Sequence, residues 1–233
     1  MAKKGGDKTQ KRFNTSKIRF QKVKSETWAI KSTPGPFNAE SSVPLGFLLR
    51  DLIGVGRTLH ETKIALNEGK ASVNGKTRKD YRFSVGFHDI VSVDGMENDY
   101  RIIYDEKGRL AVKEAKKSDK KSKYCKIKDK KKSKGGKIQL TTNDGRSIFV
   151  EKGEFNTGDS IEIELPSQNI LNTLKFEKGA KIAIIGGKHA GTHGTVSEIK
   201  PGSMKSKSII KIKSGSKEFE TTAENAFVVG DKK

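Results

Sequence analysis

The chain has 233 residues, 48 Lys and Arg against 28 Asp and Glu, a net charge of +20 and only 32% hydrophobic residues. So large a positive excess calls for a polyanionic partner, nucleic acid first, and so little apolar content suits several small cores better than one large one. No apolar run nears the roughly 20 residues that span a bilayer, Met1-Ala2-Lys3-Lys4 leads into a polar tail rather than a signal-peptide core, and the lone Cys125 excludes an internal disulfide, which fits a reducing cytoplasm.

Residues 1–42 form a basic extension in which Lys11, Arg12, Lys17, Arg19, Lys22, Lys24 and Lys31 alternate with Phe13, Ile18, Phe20 and Trp28. Such a segment has too little apolar surface to fold alone and orders only against a partner or the adjoining domain. Pro34-Gly35-Pro36 ends it. Leu45, Leu48, Leu49, Leu52 and Ile53 then recur at helical spacing behind Pro44 as a first-turn residue, with Gly54 and Gly56 as the stop. A second helix opens on the capping box Thr58-x-x-Glu61 and closes at Gly69, a left-handed cap. Val73-Asn74-Gly75-Lys76 predicts a type I′ hairpin, since Asn-Gly tolerates positive φ at both central positions. Ile90, Val91 and Val93 close this first module, and Asp94-Gly95 ends it.

From residue 96 to 173 short alternating strands punctuated by Gly135-Gly136, Asp144-Gly145 and Gly158-Asp159 predict a small β domain. It contains a Lys-dense segment, 113–137, that carries strong positive potential whether it forms a hairpin or a solvated loop. The last segment, 174–233, reads as a strand, a glycine-rich turn around Gly186-Gly187-Lys188, a second strand from Thr195, and further strands near 209–212, 218–222 and 227–229. The fold class is therefore α+β and multi-domain.

Several chemical motifs fail on spacing. Gly75-Lys76-Thr77 lacks the first glycine of a phosphate loop, because Lys70 stands in its place. His189 and His193 sit among glycines without a Glu or a further ligand, so no metal is expected. No Ser-His-Asp or Cys-His arrangement is evident, so no catalytic residue and no cofactor are assigned.

Two helices feeding an Asn-Gly hairpin, with the string Asn67-Glu68-Gly69-Lys70-Ala71-Ser72-Val73-Asn74-Gly75-Lys76, resemble the alpha-L RNA-binding motif. The resemblance implies an RNA-facing side carrying Arg50, Arg57, Lys63, Lys70, Asn74, Lys76, Arg78 and Lys79. Residues 179–196 similarly resemble a KOW motif on an SH3-like barrel, with Lys188 at its tip and Ala190 where that motif usually has a basic residue. The order of parts, with Asp80-Tyr81-Arg82-Phe83, Tyr100-Arg101-Ile102-Ile103-Tyr104-Asp105, Tyr124-Cys125-Lys126-Ile127, Asp144-Gly145-Arg146 and Asn225-Ala226-Phe227-Val228-Val229-Gly230, resembles the archaeal and eukaryotic small-subunit ribosomal protein four, the "four-e" family, with Phe37 standing where a His is frequent. A chain that stops soon after Gly230 matches the archaeal branch. The family resemblance implies a cytoplasmic, ribosome-bound, non-enzymatic protein, monomeric when free and not membrane-associated. Its partners would be small-subunit ribosomal RNA and neighbouring small-subunit proteins, with Arg146, Lys188 and the tail residues Lys11, Arg12, Lys17, Arg19 and Lys22 as further RNA contacts. An RNA-modifying enzyme and a KOW-type transcription elongation factor are the competing readings; the first lacks a glycine-rich cofactor loop and the second leaves the hairpin module unexplained.

Overall fold

The computed structural model describes residues 9–22, 24, 26–115, 121–133, 136–151, 153–203, 206–215 and 217–230. Helix is scarce and antiparallel strands dominate. A two-stranded ribbon, β1 (Gln10–Lys11) with β2 (Trp28–Ala29), precedes β3 (Ser42–Pro44). Pro44 is extended and caps the helix from outside rather than occupying its first turn. A single α-turn, α1 (Leu45–Phe47), widens into a π-helical stretch over Leu48–Ile53, closed by Gly54 at φ 84°. The widened turn keeps Leu48 and Leu49 wholly inside while Asp51 is exposed and Arg50 is covered by its ion pairs.

α2 (Leu59–Asn67) obeys its caps. The Glu61 N–H donates to the Thr58 hydroxyl at 3.2 Å, and the Glu61 carboxylate accepts from the Arg57 N–H at 2.9 Å. At the other end Lys70 N–H donates to Ala65 C=O and Gly69 N–H to Leu66 C=O, the paired bonds of a Schellman motif around Gly69 at φ 81°. β4 (Ala71–Val73) and β5 (Lys76–Thr77) follow, joined by Asn74 and Gly75 at φ 52° and 75°, the I′ geometry read from the sequence.

β6 (Ser84–Gly86) pairs with β3, and β7 (Ile90–Val93) with β4. The expected module end at residue 95 is not the end of a sheet. β8 (Asp99–Tyr104) pairs with β7 and β9 (Leu110–Ala115) with β8, giving one sheet of order β5-β4-β7-β8-β9. Asp94-Gly95 is thus a turn within the sheet, and the central sheet starts later than residue 96. That sheet comprises β10 (Ser122–Lys132), β11 (Ile138–Thr142), β12 (Ser147–Val150), β13 (Ser160–Glu164) and β14 (Ile170–Leu174) in the order β12-β11-β10-β13-β14. Lys130, Lys131 and Lys132 lie on β10 paired to Leu140, Gln139 and Ile138 of the antiparallel next strand β11, the hairpin among the two expected alternatives. Of the Lys-dense segment, 116–120, 134 and 135 lie outside the described residues. The third sheet joins β15 (Lys181–Ile184), β16 (His193–Lys200), β17 (Ile209–Ser214), β18 (Lys217–Thr222) and β19 (Ala226–Val228) in the order β18-β17-β16-β15-β19.

Three apolar cores result, and they are not independent. The largest holds Leu45, Leu48, Leu66, Val91 and Ile102 but also takes Tyr124 from β10 and Phe227 from β19. There Phe87 meets Phe227 edge-on at 5.1 Å and His88 stacks on Phe227 at 5.3 Å. Charge stitches the same sheets together. Lys123, with no exposure, donates to Asp89 Oδ1 at 2.7 Å and Asp144 Oδ2 at 2.8 Å. Asp144 also accepts from Thr142 and pairs with Arg146 at 2.9 Å, while Asp89 accepts from the Gly86 N–H and the Asn74 amide. Burial alone would raise the Asp144 carboxyl; the Lys123 ammonium, with Thr142 and Arg146, instead holds it down to about 2. Phe37 lies with its ring 5.4 Å from the same ammonium and fills the space a Gly86 side chain would need.

Between the central and third sheets, the Lys126 ammonium donates to the carbonyls of Ala223, Glu224 and Ala226 at 2.8, 3.0 and 2.6 Å. Between the first and third, Gly191 at φ 88° presses on the β8–β9 turn, where an added Cβ would stand 1.8 Å from the Asp105 oxygen. Cys125 is a packed side chain whose thiol burial pushes up to about 12.

Replacing Lys123 by Met leaves buried Asp89 without a cation and Asp144 with Arg146 alone, and should cost about 3–5 kcal/mol in urea denaturation. His88 supplies a pH test. Burial, then the Arg101 and Lys123 charges, lower its imidazole to about 3 from an ordinary 6.5, so the unfolded chain binds the extra proton between those values. Stability present above pH 6.5 should fall with acid at a slope approaching about 1.4 kcal/mol per pH unit, and His88→Asn should remove that component.

Candidate nucleic-acid interface

Three surface concavities gather cations, each built where separate segments meet. The first, a cavity of about 420 Å³, lies between the β2 ribbon and the helices. Its walls include Trp28, Lys31, Arg50, Arg57, Tyr81 and Arg82. The chain path places them: the Arg82 guanidinium donates to the Lys31 carbonyl at 2.9 Å, tying ribbon to module, and Lys63 holds its ammonium 4.3 Å over the Tyr81 ring. Arg50 is largely covered, bonded to Glu26 at 3.0 Å and Asp51 at 2.9 Å. Burial works against its charge, but those carboxylates keep the guanidinium above its ordinary value. Arg57 is exposed and forms no ion pair among the described residues.

A second cavity, of about 620 Å³, lies where the N-terminal segment, the β8–β9 turn and the glycine loop after β15 converge. Lys17, Phe20, Lys107, Arg109 and Lys188 line it, with Gly186 and Gly187. The Arg109 guanidinium sits 5.0 Å over the Phe20 ring. Ala190 backs onto Gly108, where an added Cβ would come within 2.9 Å of it. The third cavity, about 190 Å³, surrounds the Asn74-Gly75 hairpin with Lys76, Arg78, Asp144 and Arg146 among its walls.

Among the sequence-derived contacts, Arg50 and Arg57 come together in the first concavity, Lys17, Arg19 and Lys188 in the second, and Asn74, Lys76, Arg78 and Arg146 in the third. Lys11, Arg12, Lys22, Lys63, Lys70 and Lys79 line none of the three; all but Arg12 and Lys63 are exposed. Lys70 is paired with Glu68 at 2.6 Å. Arg12 rests its guanidinium 5.4 Å from the Phe13 ring, and Arg78 holds its own 4.4 Å over Phe83, with Nε lacking a hydrogen-bond partner among the described residues.

Three of the expected contacts are engaged within the protein itself. Arg19 is only 6% exposed, donating to Ser42 O at 3.1 Å, Ile30 O at 3.0 Å and Ser32 Oγ at 2.7 Å. Burial lowers its guanidinium to about 10, and its work is to fasten the N-terminal segment to the body. The Asn74 amide is likewise committed, donating to Asp89 at 2.7 Å and accepting from the Ile90 N–H at 3.0 Å. Arg146 is mostly covered and serves Asp144. Sequence reasoning left Arg82, Lys107, Arg109 and Phe20 out of the site; the alternation of cations with aromatics in 11–31 was a signal for Phe20, but nothing local marked the three basic residues. His189 stacks on Phe219 at 4.3 Å and His193 begins β16, so the two share no helical face.

Comparison with known proteins bears on this surface. Residues 96–170 match the family model "Ribosomal family S4e". The chain is 38% identical over 233 residues to the small ribosomal subunit protein eS4 of Methanosphaera stadtmanae, covering all of this chain and 96% of that one. The chain belongs to the S4e family of ribosomal proteins. A second S4e relative, the eS4 of Archaeoglobus fulgidus, is 36% identical over 96% of this chain and 93% of its own. The crystal structure of the 30S ribosomal protein S4e from Thermoplasma acidophilum superposes with a TM-score of 0.71 at 29% identity, covering 82% of this chain and 96% of that one. S4e proteins are structural parts of the cytoplasmic ribosome and not enzymes, and no helix among the described residues is long and apolar enough to cross a membrane.

Removing the Arg19 guanidinium, as in Arg19→Met, leaves two covered carbonyls and a hydroxyl without donors and should cost about 2–4 kcal/mol in thermal or urea melts. Lys17→Met, two residues away and exposed, should leave stability unchanged within about 0.5 kcal/mol.

Proposed function

We propose that this chain binds small-subunit ribosomal RNA directly, through phosphate contacts from the three basic concavities, and so holds the folded RNA of the subunit. The carrying observation is convergence: cations from segments far apart in sequence are gathered into concave surfaces interleaved with aromatic rings. Phosphate contacts of this kind supply affinity without sequence, and RNA shape selects the site. The covered Nε of Arg78 beside the hairpin, without a hydrogen-bond partner among the described residues, supports the same reading, since a covered donor without an acceptor is costly until a partner arrives.

On this reading the two helices and the Asn74-Gly75 hairpin form an alpha-L module with Arg57, Lys63, Lys76, Arg78 and Lys79 toward RNA. β15, the glycine loop and β16 form the KOW portion of an SH3-like barrel, with Lys188 at its tip. The outer cations Lys11, Arg12, Lys22 and Lys70 add diffuse attraction. Neighbouring small-subunit proteins complete the surroundings, and the free chain is a monomer.

Filter binding of the full chain to a small-subunit rRNA fragment should show affinity falling steeply with salt, by about 0.7–0.9 in log-log slope per phosphate contact. Changing Arg57, Lys76 and Lys79 together to Glu should lower that slope by about 2–3 with the melting curve unchanged. A salt-independent affinity would overturn the proposal.

A further inference from the structure

Trp28 is the only Trp of the chain, lies 56% exposed on a two-residue strand, and lines the cation-rich concavity against the helices. Of the other exposed aromatics, Phe13 and Phe20 each have a guanidinium beside the ring, from Arg12 at 5.4 Å and Arg109 at 5.0 Å, and Phe149 lines none of the three cation-rich concavities. Among the described residues no ring and no cation stacks on the indole. An exposed apolar face of this size gains nothing from water, and its setting is specific. Arg57 stands exposed in the same concavity, and Arg82 and Lys31 are locked together on its wall. An apolar plane beside cations matches both halves of what a single nucleotide presents, a flat base and a charged phosphate. A paired helix hides its base faces by stacking, so the indole can be used only by a nucleotide that has left the stack.

We infer that the concavity around Trp28 is a subsite for one unpaired nucleotide of RNA, the base stacked on the indole and its phosphate beside Arg57. This rests on the RNA-binding reading above and adds a requirement that the reading does not have, namely an unstacked base. Lys31 and Arg82 position the ribbon. Glu26, which ties down Arg50, keeps that guanidinium from competing for the indole face.

The test uses the full chain, whose intrinsic fluorescence at long excitation wavelength reports Trp28 alone. The probes are oligoadenylate RNA about ten nucleotides long, within the roughly 4–16 nucleotides typical of single-strand sites, an abasic ribose-phosphate strand of equal length, and poly-glutamate. Oligoadenylate should quench the fluorescence and the abasic strand and poly-glutamate should not. Trp28→Ala should weaken oligoadenylate binding, read by anisotropy of a labelled strand, about 5- to 100-fold, and Trp28→Phe should recover most of that loss. Oligoadenylate binding without quenching, equal quenching by the abasic strand or poly-glutamate, or undiminished binding by Trp28→Ala would each overturn the subsite while leaving RNA binding in place. Failure of every RNA to bind would overturn both.

Discussion

One buried cation organises this protein. Lys123 has no contact with water and is neutralised by two carboxylates that come from different sheets, Asp89 before β7 and Asp144 in the β11–β12 turn. Each carboxylate has further donors, so removal of any member exposes several others to an apolar setting without partners. Asp89 also receives the Asn74 amide, which means that the conformation of the hairpin and the seating of the central sheet are set by the same few atoms. The shape presented outside is therefore fixed from within.

Two further attachments complete the frame. Lys126 binds three carbonyls at the start of β19, and the aromatic group Phe87, His88, Tyr124 and Phe227 is assembled from all three sheets. Basic residues consequently divide into two populations. Lys123 and Arg19 are interior and Lys126 half-buried, and these hold segments together; Lys17, Arg57, Lys76, Lys79 and Lys188 are exposed and carry the field outside. A charge of +20 is thus not spread uniformly over the surface, and its exposed part is aimed by its buried part.

Much of the local structure was legible because the signals are themselves local. Thr58 and Glu61, Gly69, and Asn74-Gly75 encode caps and a turn within a few residues, and each is found as read. The family likeness was legible for the same reason, being carried by short strings. What escaped was set by long-range pairing. Asp94-Gly95 signals a turn, but whether the next strand returns to the same sheet depends on Tyr100 meeting Val91, which no neighbour in sequence announces. Burial of Arg19 or Lys123 was equally hidden, because among so many cations only the carbonyls and carboxylates of remote segments distinguish an interior one. The π-turn at Leu48–Ile53 belongs here too: leucine spacing indicates a helix, and only packing decides how tightly it is wound.

Gly191 has one more implication. With its backbone pressed to the Asp105 carbonyl, the loop carrying Lys188 is seated on the turn carrying Lys107 and Arg109, so the span between those positive tips is set before any ligand arrives. On the RNA-binding reading proposed above, a groove of preset width acts as a gauge: where a transcript segment is wider or narrower than that span, it is the nucleic acid that must deform.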